Sequence, residues 1–461
     1  MNIELKTIPT PPLAFVEEDA PAIPAAEYER RLETLYEMAG ADWVAVYADR
    51  EHYANLMFLV NLDPRFEEAV LLLGPRGRRV LLLGNEDMGY VSVLAVPVEA
   101  VLAQSLSLGG QPRGTAPRMR DVLMHVGVAP GASVCVVGWK YLEENETDDT
   151  QAPAFVPAFL LDALRSVIGS GGRLVDGTAL LMHPAHGLRS LNGGTQAGAA
   201  AQIAAFEWGA RMASAAVFNV LHHARPGMSE RKALSYMRYA GDALSMHPIF
   251  VSGKGAINGL RSPSAKAIEY GDGVSVGLGY WGSLVCRAGM MLGAPDAGYF
   301  EGVVTPYYRA IATWHQTMRI GVTGGEVFGA IDQAFGESPL RPALNPGHLT
   351  SYDEWVHSPI RAGSSEKVRS GMVFQCDIIP TPLPGGQLTN CEDTVAVADE
   401  GLRAELRANY PALWARVEAR RKVMTEALGI RPPEELLPLT DATAYLPPFW
   451  LAPELVCTVG G

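Results

Sequence analysis

The chain has 461 residues, 48% of them hydrophobic and 19% charged, an ordinary globular composition with room for about three domains of roughly 150 residues. Its formal charge is −13, from 50 acidic against 37 basic residues, with no lysine- or arginine-rich stripe, which argues against a nucleic-acid partner. Five cysteines without a C-x-x-C pair point away from a disulfide framework or a zinc finger. No apolar run reaches the ~18 residues of a membrane span. The acidic, proline-containing start lacks the pattern of a signal peptide. The expectation is a cytoplasmic protein with no membrane or nucleic-acid partner.

Residues 1–25 read as a proline-rich arm. Tyr28, Leu32, Leu35 and Ala39 then mark one face of a helix that stops at Gly40, and an apolar strand follows over 43–48. Two apolar runs around Pro75–Gly77 predict a hairpin within 68–84. A helix near 118–125, a strand over 133–139 and a helix over 159–167 complete an alternating α/β domain. The glycine-rich stretch 169–195 contains the boundary. A long helix over 196–222 and another capped by Ser229 open the second region. Strands over 274–281 and 284–291 follow, joined by a short turn at Gly282. Helices over 307–318 and 325–335 lead to two apolar strands, GMVFQCDIIP and CEDTVAVAD. A helical segment over 402–428, broken at Pro411, ends in a proline-rich tail.

Four short motifs in one order carry a resemblance. GMVFQCD (371–377) resembles a Gly-Met-Val-Phe-x-x-Glu-Pro strand, NCEDTVAV (390–397) a closing Glu-Asp-x-Val strand, PGH (346–348) a Gly-His loop and VHSP (356–359) a His-Glu-x-Pro element. Together with NLDPRFEEAVLLL (61–73), they make the chain similar to the creatinase, prolidase and methionine aminopeptidase family over roughly 27–400. The resemblance implies an α/β (α+β) class. Its domains would be a creatinase-like α/β domain over 26–188 and a pita-bread domain over 189–430. The arm at 1–25 and a proline-rich tail at 431–461 would flank them. It also implies a homodimer.

In metal-dependent members of that family two Asp, one His and two Glu hold two divalent ions. Carried over residue by residue, His348 matches the histidine, Glu392 the last Glu, and Asp377 stands one methylene shorter at the other. The hairpin positions fall on Gly277 and Leu284, so a two-metal site is not expected. The expectation is no cofactor, with a single divalent metal on His348, Asp377 and Glu392 as the alternative. Creatinase offers a metal-free precedent, although its histidine position falls at Leu260 or Arg261 here and its hairpin glutamate at Cys286.

His348 and His357 are candidate bases near neutral pH. Asp377 and Glu392 lie in or beside apolar strands, where a carboxylate needs a cation, a ligand or a structural partner such as Arg287. Sharing one pocket, they could also share a proton. Cys286 reads either as half of a Cys–His nucleophilic pair or as a small buried cysteine. Arg287, Tyr280, Trp281 and Trp355 are candidate substrate contacts, or ordinary packing residues. The leading functional expectation is a metal-independent hydrolase or lyase acting on a C–N bond of a small metabolite. The alternatives are a catalytically silent module binding peptide or protein, and a single-metal Xaa-Pro aminopeptidase or dipeptidase.

Overall fold

The computed structural model describes residues 1–13, 15–114, 116–254 and 259–460. The chain divides into two compact units, one of Ile23–Gly193 and one of Met1–Ala22 with Gly194–Gly461.

In the smaller unit six strands form one mixed sheet, in the order Glu99–Leu102, Arg78–Leu83, Ala69–Gly74, Trp43–Ala48, Ser133–Val137, Arg173–Asp176. The central strands are buried on both faces, so they read as unbroken apolar runs rather than as alternation. Helices Ala25–Ala39, Met119–His125 and Ala158–Ile168 accompany this sheet. The hairpin turns through Pro75–Gly77 as its sequence predicts, pairing Gly74 with Arg78.

The larger unit is built on a seven-stranded sheet. Its main path runs His348–Leu349, Val373–Cys376, Asn390–Val397, Ser283–Met290, Gly273–Tyr280, Leu244–Ser252. Leu436–Pro438 also pairs with Asn390–Val397. The helix Gln196–His223 starts at Thr195, whose side chain accepts from the Gly198 amide, and it buries small residues such as Ala199, Ala213 and Gly209 along its length. Gly209 is required there: a Cβ would come within 2.6 Å of the Trp281 carbonyl oxygen. Helices Thr305–Thr317 and Gly324–Phe335 come next, the second closed by a capping box between Thr323 and Glu326. Glu400–Asn409 and Pro411–Lys422 are separate helices because Pro411, which cannot donate, starts the second. The segments at both ends of the chain belong to this unit. Ile3–Thr7 pairs antiparallel with Leu455–Val459.

The central hairpin of this sheet decides which side chains share a face. Tyr280 pairs with Ser283, leaving a two-residue turn of Trp281 and Gly282. Gly282 has φ +76°, and a Cβ there would overlap the Phe206 ring, so only glycine allows the turn to pack. The turn fixes the register: Gly277 lies opposite Cys286, and Gly279 opposite Leu284.

Candidate active site and metal centre

Side chains alternate across a strand, and directly opposed residues share a face. On one face of the large sheet the register therefore collects Gly277, Cys286 and Glu392 in one row. Cys376 pairs with Asp393, and Asp377, the residue just past the strand end, is near enough to Glu392 for its charge to raise that carboxyl's pKa. His348 pairs with Gln375 and adds the last side chain to this face.

The loop before His348 is tightly held. Trp314 Nε1 donates to the Pro346 carbonyl at 2.8 Å, and the Ser358 hydroxyl donates to that of Gly347 at 2.7 Å. Gly347 has φ +112°, and a Cβ would lie 2.8 Å from the Gln375 carbonyl oxygen. His348 is fully buried, and the Trp355 ring stacks on it at 4.0 Å with a 21° interplanar angle. His348 Nε2 lies 2.9 Å from Glu354 Oε1. The approach is short, but Nε2 makes no hydrogen bond of regular geometry. Glu392 Oε1 and Asp377 Oδ1 are likewise buried without a hydrogen-bond partner.

Burial dominates the electrostatics. It pushes the Asp377 carboxyl up to about 6, against the opposing pull of His348. It pushes Glu392 well above the ordinary carboxylate range, with Asp377 and Glu354 adding in the same direction. Burial alone would lower the His348 pKa, but the Glu354 carboxylate beside it reverses the sign, and it is raised. The two carboxyl shifts are the cost of holding negative charge in a dry pocket, and the His348 shift is the effect of an adjacent opposite charge.

One donor from each of His348, Glu354 and Glu392 falls in a group whose atoms all lie within 4.8 Å of one another. An imidazole nitrogen with two carboxylates suits a divalent cation. Two ligands about 2.1 Å from one octahedral ion stand about 3.0 Å apart, close to the 2.9 Å between Nε2 and Glu354 Oε1. Glu392 Oε1, buried without a hydrogen-bond partner, and Nε2, whose one near neighbour is the Glu354 carboxylate, supply the second half of the fit. The donor set thus suits a single ion, where the sequence led to an expectation of none. The hairpin side offers no further carboxylate: a Cβ on Gly277 would meet Ile249 Cδ1 at 3.0 Å, so an aliphatic side chain fills that space.

The sequence candidates separate into two groups. His348, Glu392 and Cys286 share the face, Asp377 lies near Glu392 just past the strand end, and Trp355 stacks over the imidazole. His357 pairs through its backbone with Leu349, next to His348. Burial pushes the Cys286 thiol up to about 11, and its Sγ sits 3.6 Å from the Ser275 hydroxyl. It is therefore a thiol, not a thiolate, at neutral pH, contrary to what a Cys–His nucleophile needs.

Arg287 and Tyr280 point away from this face. Arg287 is fully buried on the other side, with Nη2 2.8 and 3.0 Å from the two oxygens of Asp393. Its remaining donors go to the carbonyls of Tyr445, Cys286, Glu392 and Ala442, leaving none for a substrate. Its acidic partner is thus Asp393, not Asp377 or Glu392. Tyr280 packs edge-on against Trp208, with ring centroids 6.1 Å apart. Trp281, at the tip of the turn, packs edge-on against Tyr352. Leu284 shares the site face, but Cys286 is the residue opposite Gly277 and Glu392. Glu354 is the residue that sequence reasoning missed. Its one signal was a carboxylate between His348 and His357 in a single short loop.

No protein-family profile and no curated protein matches the sequence. Solved structures do match. The chain is similar to the Xaa-Pro dipeptidase from Bacillus anthracis, with 18% identity, 82% of this chain and 96% of that one covered, and a TM-score of 0.59. It is similar to the recombinant prolidase from Thermococcus sibiricus, with 16% identity, 82% and 96% coverage and a TM-score of 0.62. The X-Pro aminopeptidase from Thermotoga maritima MSB8 aligns at 14% identity over 81% of this chain and 95% of that one, with a TM-score of 0.60. At these identities the likeness establishes the fold, and that fold is the one the sequence motifs implied: an α/β unit joined to a pita-bread unit.

Proposed function

We propose that the protein is a hydrolase of short peptides or peptide-like amides that works with one divalent cation held by His348, Glu354 and Glu392. The observation that supports this reading is the convergence of those three donors within 4.8 Å, with two of them otherwise unpartnered in a buried setting. Such an ion polarises a scissile carbonyl and acidifies water. The chain's own residues do the rest. Glu354 keeps 23% of its side chain exposed while His348 and Glu392 are buried, so the solvent-facing side of the site is the side of Glu354. Trp355, also partly exposed and stacked on His348, offers a flat wall there for a substrate side chain or ring. In this reading Asp377, whose Oδ1 has no hydrogen-bond partner, takes a proton from water and returns it to the leaving amine.

The structural neighbours carry names of Xaa-Pro dipeptidases and an X-Pro aminopeptidase, so Xaa-Pro dipeptides are the first substrates to try. The test is hydrolysis of such a panel by protein stripped with chelator and reloaded with Mn2+, Co2+ or Zn2+. The proposal expects turnover only after reloading, lost in His348→Ala. Full activity in the stripped protein would replace it with the metal-independent, creatinase-like reading. A bound ion without turnover on any peptide or amide would leave a binding module. The homodimer implied by the family resemblance belongs with this proposal and is tested by light scattering in solution.

A further inference from the structure

On the opposite face of the large sheet from the carboxylates lies a cavity of about 300 Å3. The helix Gln196–His223 forms one wall through Met212, Ala216 and Phe218, which are apolar. Tyr280, Thr10 and the exposed Arg238 also line it. The volume lies at the lower end of the range for small-molecule sites, and the mixture of apolar walls with a few polar groups is typical of them.

Two polar groups there lack a protein partner among the described residues. Tyr280 is 2% exposed as a whole, and its hydroxyl, which lines the cavity, forms no hydrogen bond to a described residue. Arg238 is exposed and forms no ion pair with a described residue. The other polar side chains of the lining each make a hydrogen bond within the protein. His222 Nε2 lies 3.1 Å from the Thr10 hydroxyl, His223 Nδ1 bonds the Asn219 carbonyl at 2.7 Å, and Asn219 Nδ2 donates to Tyr236. A phenol and a guanidinium thus line the same cavity as the apolar side chains of Met212, Ala216 and Phe218.

We infer that this cavity is a binding site for a small organic acid with an aromatic or branched apolar body. The apolar body would lie against the helix, and the polar groups would be met by Arg238 and Tyr280. Because Tyr280 and Arg238 lie off the carboxylate face, this inference does not depend on the proposed hydrolase activity.

The experiment uses the full-length protein with phenylacetate, 3-phenylpropionate and 4-methylvalerate as probes, and phenylacetamide as the uncharged control, followed by isothermal titration calorimetry. Tyr280→Phe removes only a hydroxyl that bonds nothing in the protein, so it keeps the fold. Arg238→Gly suits the backbone, because residue 238 sits at φ +55°. At least one acid is expected to bind, with the amide weaker by about tenfold and each variant weaker by about tenfold, as for loss of one charge-assisted hydrogen bond. Absence of binding by all three acids at millimolar concentration overturns the inference. So does binding that both variants leave unchanged.

Discussion

Replacing Arg287 with methionine should destabilise the larger unit strongly while leaving ligand recognition to other residues. Arg287 and Asp393 are both fully buried, and the guanidinium uses every donor, to two carboxylate oxygens and four carbonyls. Removing one partner of such a pair costs about 3–5 kcal/mol, because the other charge is left in a dry interior. Asp393 would keep only the Ala444 amide and the Cys391 thiol. For a unit of this size roughly 2 °C of melting temperature accompanies each kcal/mol, so a fall of about 6–10 °C is expected. Six of the eight tryptophans lie in residues 194–461, so intrinsic fluorescence follows that unit through the transition. Arg287→Met/Asp393→Leu should recover a substantial part of the loss, since an apolar pair needs no counter-charge. A melting temperature for Arg287→Met within about 1 °C of the wild type would mean that the pair does not hold the unit together. A selective loss of substrate affinity with that unchanged stability would restore Arg287 as a substrate contact.

Gly347→Ala should displace His348, because the new Cβ would press on the Gln375 carbonyl in a backbone conformation that disfavours alanine; metal affinity measured by calorimetry should fall by about tenfold or more. Cys286→Ser should leave hydrolysis within about twofold of wild type, since its thiol, pushed up to about 11 by burial, holds little thiolate at neutral pH; a loss beyond about 100-fold would return the thiol to the mechanism. In the smaller unit, burial and then Glu67, Asp63 and Glu86 push Asp87 up to about 6. The folded state therefore binds this proton more readily than the unfolded chain, so the group's destabilising effect is full above about pH 6 and fades as pH falls toward about 4. Asp87→Asn should raise the melting temperature at pH 7 and flatten its dependence across that window, as calorimetry at several pH values would show.

Much of the fold was legible because its strands are buried on both faces and its turns carry their own chemistry. The run Ala69–Leu83 announces two strands around Pro75–Gly77, and the Trp281–Gly282 turn is plain from its glycine. The same double burial hid which face each residue takes. In Gly273–Tyr280 and Ser283–Met290 every residue is buried, so no polar alternation distinguishes Arg287 and Tyr280 from their neighbours Cys286 and Gly279. Only the paired register makes Cys286, rather than Leu284, the neighbour of Glu392. His348, Asp377 and Glu392 were found because short motifs frame them. Glu354 was not, since it sits in an irregular loop, where neither period 2 nor period 3.6 applies and where only the fold brings its carboxylate to His348.

A single cation site built from three side chains, one of them outside the motifs, is the basis of the proposed chemistry. Calorimetric titration of chelator-stripped protein with Mn2+ or Co2+, for the wild type and for Glu354→Gln, probes that site without relying on a substrate. One ion per chain is expected in the wild type, with binding weakened by about tenfold or more in the variant. No binding by the wild type at millimolar metal, or equal affinity in both proteins, would contradict the three-ligand site.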